Sequence, residues 1–229
     1  MHLGGNNEQF EYLMTDEAGT RRVLDEITEE KDLGIWINSD LKPTLQCTRA
    51  ANKAMGVLRS IKKTFKYIDK RCFLILYKTF IRPHLEYCVQ AWSPYYKKDM
   101  DLLEKVQRRA TKLVHSIRNL EYERRLEILG LYSLEQRRER GDLIETYKIL
   151  TDKENINSNQ FFTLATGTTR GNPLKLFKNR SRLQLRQHFF SQRVVNAWNA
   201  LPTFVVEAKT VNCFKNKLDL HWTDMGTGT

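Results

Sequence analysis

Hydrophobic and polar positions change period twice along this chain. In the first 40 residues Phe10, Tyr12 and Met14 alternate with Glu11 and Leu13, turn chemistry follows at 16–20 around Gly19, and residues 33–37 form a second strand-like run. Alternation of this kind predicts strand and turn. An isolated hairpin is marginal in water, so these strands need neighbours. From Asp40 the period becomes helical. Asp40 is a candidate cap, Pro43 suits a first turn, and Leu45, Ala51, Ala54, Leu58 and Ile61 make one apolar stripe. A second helix is expected after Asp69, with Phe73, Leu74, Leu76, Tyr77, Phe80 and Ile81. Being apolar nearly all round, it predicts a buried element that Pro83 ends or kinks.

A third helix is expected from about Asp99, its core face made by Leu102, Leu103, Val106, Ala110, Leu113, Val114 and Ile117. A short helix should then stop at Gly130. Ser133 and Gln136 have capping-box spacing for the next helix, which turns Leu143, Tyr147 and Leu150 inward. Residues 151–163, with Asn155, Asn157, Ser158 and Asn159, suggest a linker. Beyond it, Leu174, Leu176, Leu183 and Leu185 alternate with polar neighbours around Asn179, which suggests a basic hairpin. Two closing helices follow, one with Phe190, Val194, Val195 and Trp198, the other with Val211, Phe214 and Leu218, separated by Pro202. No internal repeat or low-complexity tract is visible. The fold class expected is mainly α: a small N-terminal β segment, a helical bundle, then a basic β-hairpin/helix module.

Charge sharpens this picture. The 229 residues carry a net charge of +11, with 41% hydrophobic and 10% aromatic residues, enough to bury a core. Residues 1–40 hold three cations against ten carboxylates, whereas 42–71 hold nine cations and one carboxylate, Asp69. Residues 155–206 contain no Asp or Glu but seven cations, namely Arg170, Lys175, Lys178, Arg180, Arg182, Arg186 and Arg193. A basic body behind an acidic front suggests a polyanionic partner, with ordinary solubilising charge as the alternative. Lys53, Arg59, Lys62 and Lys63 lie opposite the apolar stripe of the first helix. Lys105, Arg108, Arg109 and Lys112 lie at i, i+3, i+4 and i+7 of the third. With Lys178, Arg180 and Arg182 they are the candidate phosphate contacts, of the kind that gives sequence-independent affinity. Tyr95 and Tyr96, beside Lys97 and Lys98, either stack on a base or pack on a helix end.

Bond-making chemistry is harder to find. Two-metal nucleotidyl transfer gathers carboxylates around two cations, yet the chain has no Asp-Asp pair. Asp16-Glu17, Asp25-Glu26 and Glu29-Glu30 suit a solvated face better. Cys72, His84 and Cys88 fall one ligand short of a structural zinc site. The four cysteines, with no CxxC, suggest reduced and mostly buried thiols in an intracellular protein of the nucleus or cytoplasm. No secretory signal is visible, and no apolar run reaches the about 20 residues of a membrane span. No catalytic residue and no cofactor is assigned to the chain.

In order along the chain stand Lys31-Asp32-Leu33-Gly34-Ile35, Ser39-Asp40-Leu41-Lys42, Arg82-Pro83-His84-Leu85-Glu86-Tyr87-Cys88 and Ala91-Trp92-Ser93-Pro94. Then come Leu103-Glu104-Lys105-Val106-Gln107-Arg108-Arg109-Ala110-Thr111, Leu129-Gly130-Leu131, residues 138–143 and residues 190–202. As a set these runs resemble the reverse transcriptases of non-LTR (LINE-type) retrotransposons, from just after the catalytic palm motifs onward. The resemblance implies a remnant of the palm and primer grip at 1–40, with Met1-His2-Leu3-Gly4 as the tail of the primer-grip hairpin. It further implies a helical thumb-like domain at 41–150, a linker at 151–163 and a basic C-terminal module at 164–229. The fingers, the palm with its paired aspartates and the endonuclease would lie upstream, and the abrupt start at Met1 would be internal to the parent frame. The expected role is that of a polymerase fragment, inactive alone, which binds RNA or DNA template–primer and partners the missing palm and fingers. Its parent enzyme would use Mg²⁺. A domesticated non-enzymatic RNA/DNA-binding protein and a helical protein-interaction module are the alternatives.

Overall fold

Leu33 and Gly34 both take positive φ, 45° and 88°, and turn the chain within two residues. That geometry makes a tight hairpin of β3 (Glu29–Asp32) and β4 (Ile35–Asn38), where the alternation had suggested one strand through Leu33. An earlier hairpin pairs β1 (Leu13–Thr15) with β2 (Arg21–Val23). Its turn is closed by the Asp16 carboxylate, which accepts the Thr20 N–H at 2.8 Å. In this computed structural model, which describes residues 1–4, 7–166 and 172–226, the chain divides into two compact units, Met1–Leu131 and Tyr132–Thr229.

The first unit is built on α1 (Thr44–Thr64). Asp40 does not cap it; its carboxylate accepts the Lys42 N–H at 2.9 Å, and Pro43 stands at the cap position. Ala50, Ala51 and Ala54 are buried on the inner face of α1, where small side chains let neighbouring helices approach closely. β4 lies against α1, tied by the Trp36 N–H, which donates to the Gln46 side chain at 2.9 Å.

α2 (Lys70–Leu76) starts at Asp69, whose carboxylate accepts the Cys72 N–H. Pro83 does not end this helix. The helix widens into a π turn over Tyr77–Ile81 and resumes as α3 (Arg82–Glu86), which packs on α1. A proline ring crowds the carbonyl four residues back and offers no N–H, and a widened turn just ahead accommodates both. Nor is this helix buried all round: Phe73, Tyr77, Ile81 and Leu85 face the core, whereas Ile75 and Phe80 are 57% and 52% exposed.

A short α4 (Val89–Trp92) leads to α5 (Lys97–Thr111), the principal partner of α1. Leu103, Val106 and Ala110 are buried on α5, and between them sits a buried Gln107 that periodicity alone does not flag. The Tyr77 hydroxyl donates to the Gln107 carbonyl, and the Gln107 amide donates to the Tyr122 hydroxyl at 2.8 Å. Tyr122 in turn donates to Glu104. Burial and that carboxylate push the Tyr122 phenol well up, so it stays a donor. α6 (Tyr122–Leu129) ends on Gly130 at φ +63°, with the Leu131 N–H reaching the Leu126 carbonyl at 2.9 Å.

The second unit opens with α7 (Leu134–Leu150), and the Ser133/Gln136 capping box is formed. Helix α7 thus belongs with the following residues rather than with the helices before it. Leu143, Tyr147 and Ile149 join one core with Val194, Val195, Trp198, Phe214 and Leu218. The expected linker is part of that unit as well, since Phe162 is buried in the same cluster. The remaining helices are α8 (Gln184–Gln187), α9 (Phe190–Ala200), α10 (Thr203–Val206) and α11 (Val211–Gly226). Two bidentate ion pairs clamp the unit: Arg193 on Asp142 at 2.8 and 2.9 Å, and Arg140 on Asp219 at 2.8 Å through both nitrogens.

The basic hairpin around Asn179 is replaced by an extended stretch with a single bridge, Leu164 to Leu176. Along one edge the Lys175 carbonyl accepts the Ala165 N–H and the Phe177 N–H donates to the Thr163 carbonyl, both at 2.8 Å, and the other edge finds its partners on α9. Trp198 Nε1 donates to the Leu174 carbonyl at 2.7 Å, and the Asn199 amide both accepts the Leu176 N–H and donates to the Leu176 carbonyl. A backbone so satisfied on both edges does not need the hairpin strand expected beyond Asn179. Mainly helical architecture with short antiparallel strands at the front is what the periodicity led us to expect.

Candidate nucleic-acid interface

α1 and α5 pack along their apolar stripes, which leaves their basic faces flanking a cleft of about 580 Å³. Arg59, Lys62 and Lys66 line it from α1 and the residues just beyond. Arg109, Lys112 and Arg118 line it from α5 and the segment after it. Met55, Leu58, Phe65, Ile68 and Leu113 supply an apolar floor, and no carboxylate is among the lining residues. His115 adds an imidazole stacked on Tyr67 at 5.2 Å.

These six cations lack the protein partners that several arginines of the chain have. Among the described residues none of the six has a side-chain hydrogen bond or an ion pair. Arg193, Arg140, Arg124 and Arg49, by contrast, each sit within 3.0 Å of a carboxylate. Unpaired cations on an open, carboxylate-free surface are suited to an external polyanion.

The expected contacts distribute unevenly over this geometry. Arg59, Lys62, Arg109 and Lys112 come together in the cleft. Lys63 and Lys105 are exposed on α1 and α5 but do not line it. Lys53 lines a different hollow, beside β4. Arg108 lies 4.2 Å over the Tyr122 ring and 3.7 Å from Glu123, so within the four-residue stripe only Arg109 and Lys112 face the cleft. Lys178, Arg180 and Arg182 are exposed on the extended stretch of the second unit. Arg170 lies outside the described residues.

The helical period had already set Lys66 on the polar side of the first helix, although it stands just past the end of α1; Arg118, beyond the end of α5, is the cleft cation that sequence reasoning missed. Tyr95 and Tyr96 are half-buried against each other at 4.4 Å, with Lys98 over Tyr96 at 5.6 Å. Burial and that neighbour push the Tyr95 phenol up.

Only Cys47 of the four cysteines is buried; Cys72 and Cys213 are half-buried and Cys88 is exposed. Among the described residues no three His, Cys, Asp or Glu side chains are placed to share a metal ion, the Cys72, His84 and Cys88 set included. No helix of these residues is long and apolar enough to cross a membrane. No protein-family model, curated protein or solved structure matches this chain.

Proposed function

We propose that this chain grips nucleic acid by its phosphate backbone, in the manner of the thumb and C-terminal region of a non-LTR retrotransposon reverse transcriptase. The observation that carries the reading is the α1/α5 cleft, where six cations without protein partners face solvent together. Lys and Arg so placed displace counterions from phosphates and give affinity without base information. The chain supplies no paired aspartates, so the reading assigns it holding rather than bond making. In a parent polymerase, palm and fingers would cover the apolar side chains exposed on the front hairpins, such as Leu13, Met14 and Val23.

The test is fluorescence anisotropy with duplexes of unrelated sequence, RNA–DNA hybrid included, at rising salt. The expected result is similar affinity for every sequence and a steep loss with salt; absence of binding at low salt sinks the reading. Primer extension with Mg²⁺ or Mn²⁺ should give no product, and extension that survives repurification overturns the non-catalytic assignment. A domesticated nucleic-acid-binding protein would use the same cleft. A helical protein-interaction module is favoured by a different observation, the exposed Ile75 and Phe80 on the helix beside α1.

A further inference from the structure

The hollow beside β4 has a chemistry unlike that of the basic cleft. It measures about 550 Å³ and is lined from three elements of the first unit: the β3–β4 hairpin, α1 and the end of α3. Tyr87 forms one wall. Its hydroxyl donates to the Leu33 carbonyl at 3.1 Å, and its ring lies against Gly34, where an added Cβ would come within 3.2 Å of Cε1. The ring is therefore held in place from one side, yet Tyr87 remains 56% exposed. A fixed and open aromatic face is a stacking platform, because the cost of ordering the ring is met before any ligand arrives.

Trp36 forms another wall, with the Arg49 guanidinium 4.6 Å over its ring and held there by Glu29 at 3.0 Å. His84 and Lys53 complete the lining that matters here. Burial, with the Lys53 charge nearby, keeps the His84 imidazole below the usual histidine range, so at neutral pH it offers one donor and one acceptor. No carboxylate lines the hollow.

We infer that this hollow takes an unpaired nucleobase of a bound strand, stacked on Tyr87, with its edge towards His84 and the adjoining phosphate neutralised by Lys53. An aromatic platform, a neutral imidazole and a lysine answer the three parts of a nucleotide: π face, hydrogen-bonding edge and phosphate. A phosphate-only site would need no fixed ring. The inference rests on the nucleic-acid reading above and adds base contact to a grip otherwise made through the backbone.

The test compares a twelve-nucleotide deoxyadenosine strand with a strand of equal length whose bases are replaced by abasic linkers. Phosphate number is the same, so backbone contacts cannot tell them apart, and the Tyr87 variants separate this hollow from the rings beside the basic cleft. The whole chain should bind the base-bearing strand at least about five-fold more tightly, the lower end of base–aromatic stacking. Tyr87→Phe should keep that preference and Tyr87→Ala should abolish it, with the salt slope unchanged. A 2-aminopurine strand bound to the unmodified protein should be quenched, and this readout needs no variant to fold. Equal affinity for the two strands, a preference that survives Tyr87→Ala, or unquenched 2-aminopurine overturns the base site while leaving the backbone grip standing. Binding of neither strand, nor of duplex, overturns both.

Discussion

If the α1/α5 cleft is the footprint, neutralising Arg109 and Lys112 should change the salt dependence by a calculable amount. Six cations line the cleft. At about −0.9 per neutralised B-DNA phosphate, log K should fall against log salt with a slope of roughly −5. That slope corresponds to about a thousand-fold loss between 50 and 200 mM salt. Arg109→Gln with Lys112→Gln removes two contacts, so the slope should relax to roughly −3.6. At 100 mM salt the two lost contacts should weaken binding by about 60-fold, alike on every sequence. Both side chains are exposed, so helix content should be unchanged. Arg108→Gln is the internal control: Arg108 already has Glu123 and the face of Tyr122, so the slope should barely move. Anisotropy titrations on one 20-base-pair duplex, from 50 to 300 mM NaCl, read all three. An unchanged slope in the double variant, or an equal change in Arg108→Gln, refutes this placement of the footprint.

In the second unit, Asp142 and Arg193 are buried together, with 8% and 16% of their side chains exposed. Asp142→Ala should cost about 3–5 kcal/mol by stranding the guanidinium, whereas Asp142→Leu with Arg193→Met should recover most of it; urea unfolding followed by tryptophan fluorescence measures both. A loss below 1 kcal/mol for the single variant would show that the pair is solvated. Amides of β1 and β2, whose side chains are all exposed, should exchange hydrogen far faster than those of α1 and α5, with β4 in between because it rests on α1. Protection of β1 equal to that of α5 would contradict this. Gly130→Ala should cost about 1–2 kcal/mol from the left-handed backbone alone, because no atom lies within 4 Å of the added Cβ. A neutral result would mean that the chain leaves α6 by another route.

The helical stripes were legible because each is a local period. Ala51, Ala54, Leu58 and Ile61 on α1, and Val194, Val195 and Trp198 on α9, are buried where the spacing puts them. The capping box at Ser133 and the stop at Gly130 are local too. What escaped depends on distant partners. The extended stretch at 174–177 is alternating in sequence, but its partners are the backbone of residues 163–165 and the side chain of Asn199 rather than a strand beyond Asn179. Gln107 reads as polar surface until Tyr77 and Tyr122 are placed around it. The assignment of α7 turned on Tyr147 meeting Phe214, stacked at 4.3 Å, which no period announces. For the candidate site, charge density located the two helices, but only packing separated Arg109 and Lys112 from Arg108.

That separation has a physical consequence. Arginines such as Arg140 and Arg193 hold the fold together because each meets a carboxylate in a fixed bidentate geometry. The cleft cations have no such partners among the described residues, so in the free protein they only repel one another. Exposure keeps that repulsion small, and salt screens it further. A polyanion reverses the sign of the interaction, turning six mutually repelling charges into six attractive contacts. Salt then acts in opposite directions on the two states: it relieves strain in the free cleft and removes the advantage of filling it. Ordinary solubilising charge would not require such a cluster, since interspersed signs give solubility without self-repulsion. The cleft carries a local electrostatic cost that a bound polyanion would turn into a gain, and this supports the proposed footprint there rather than at the arginines already paired with carboxylates.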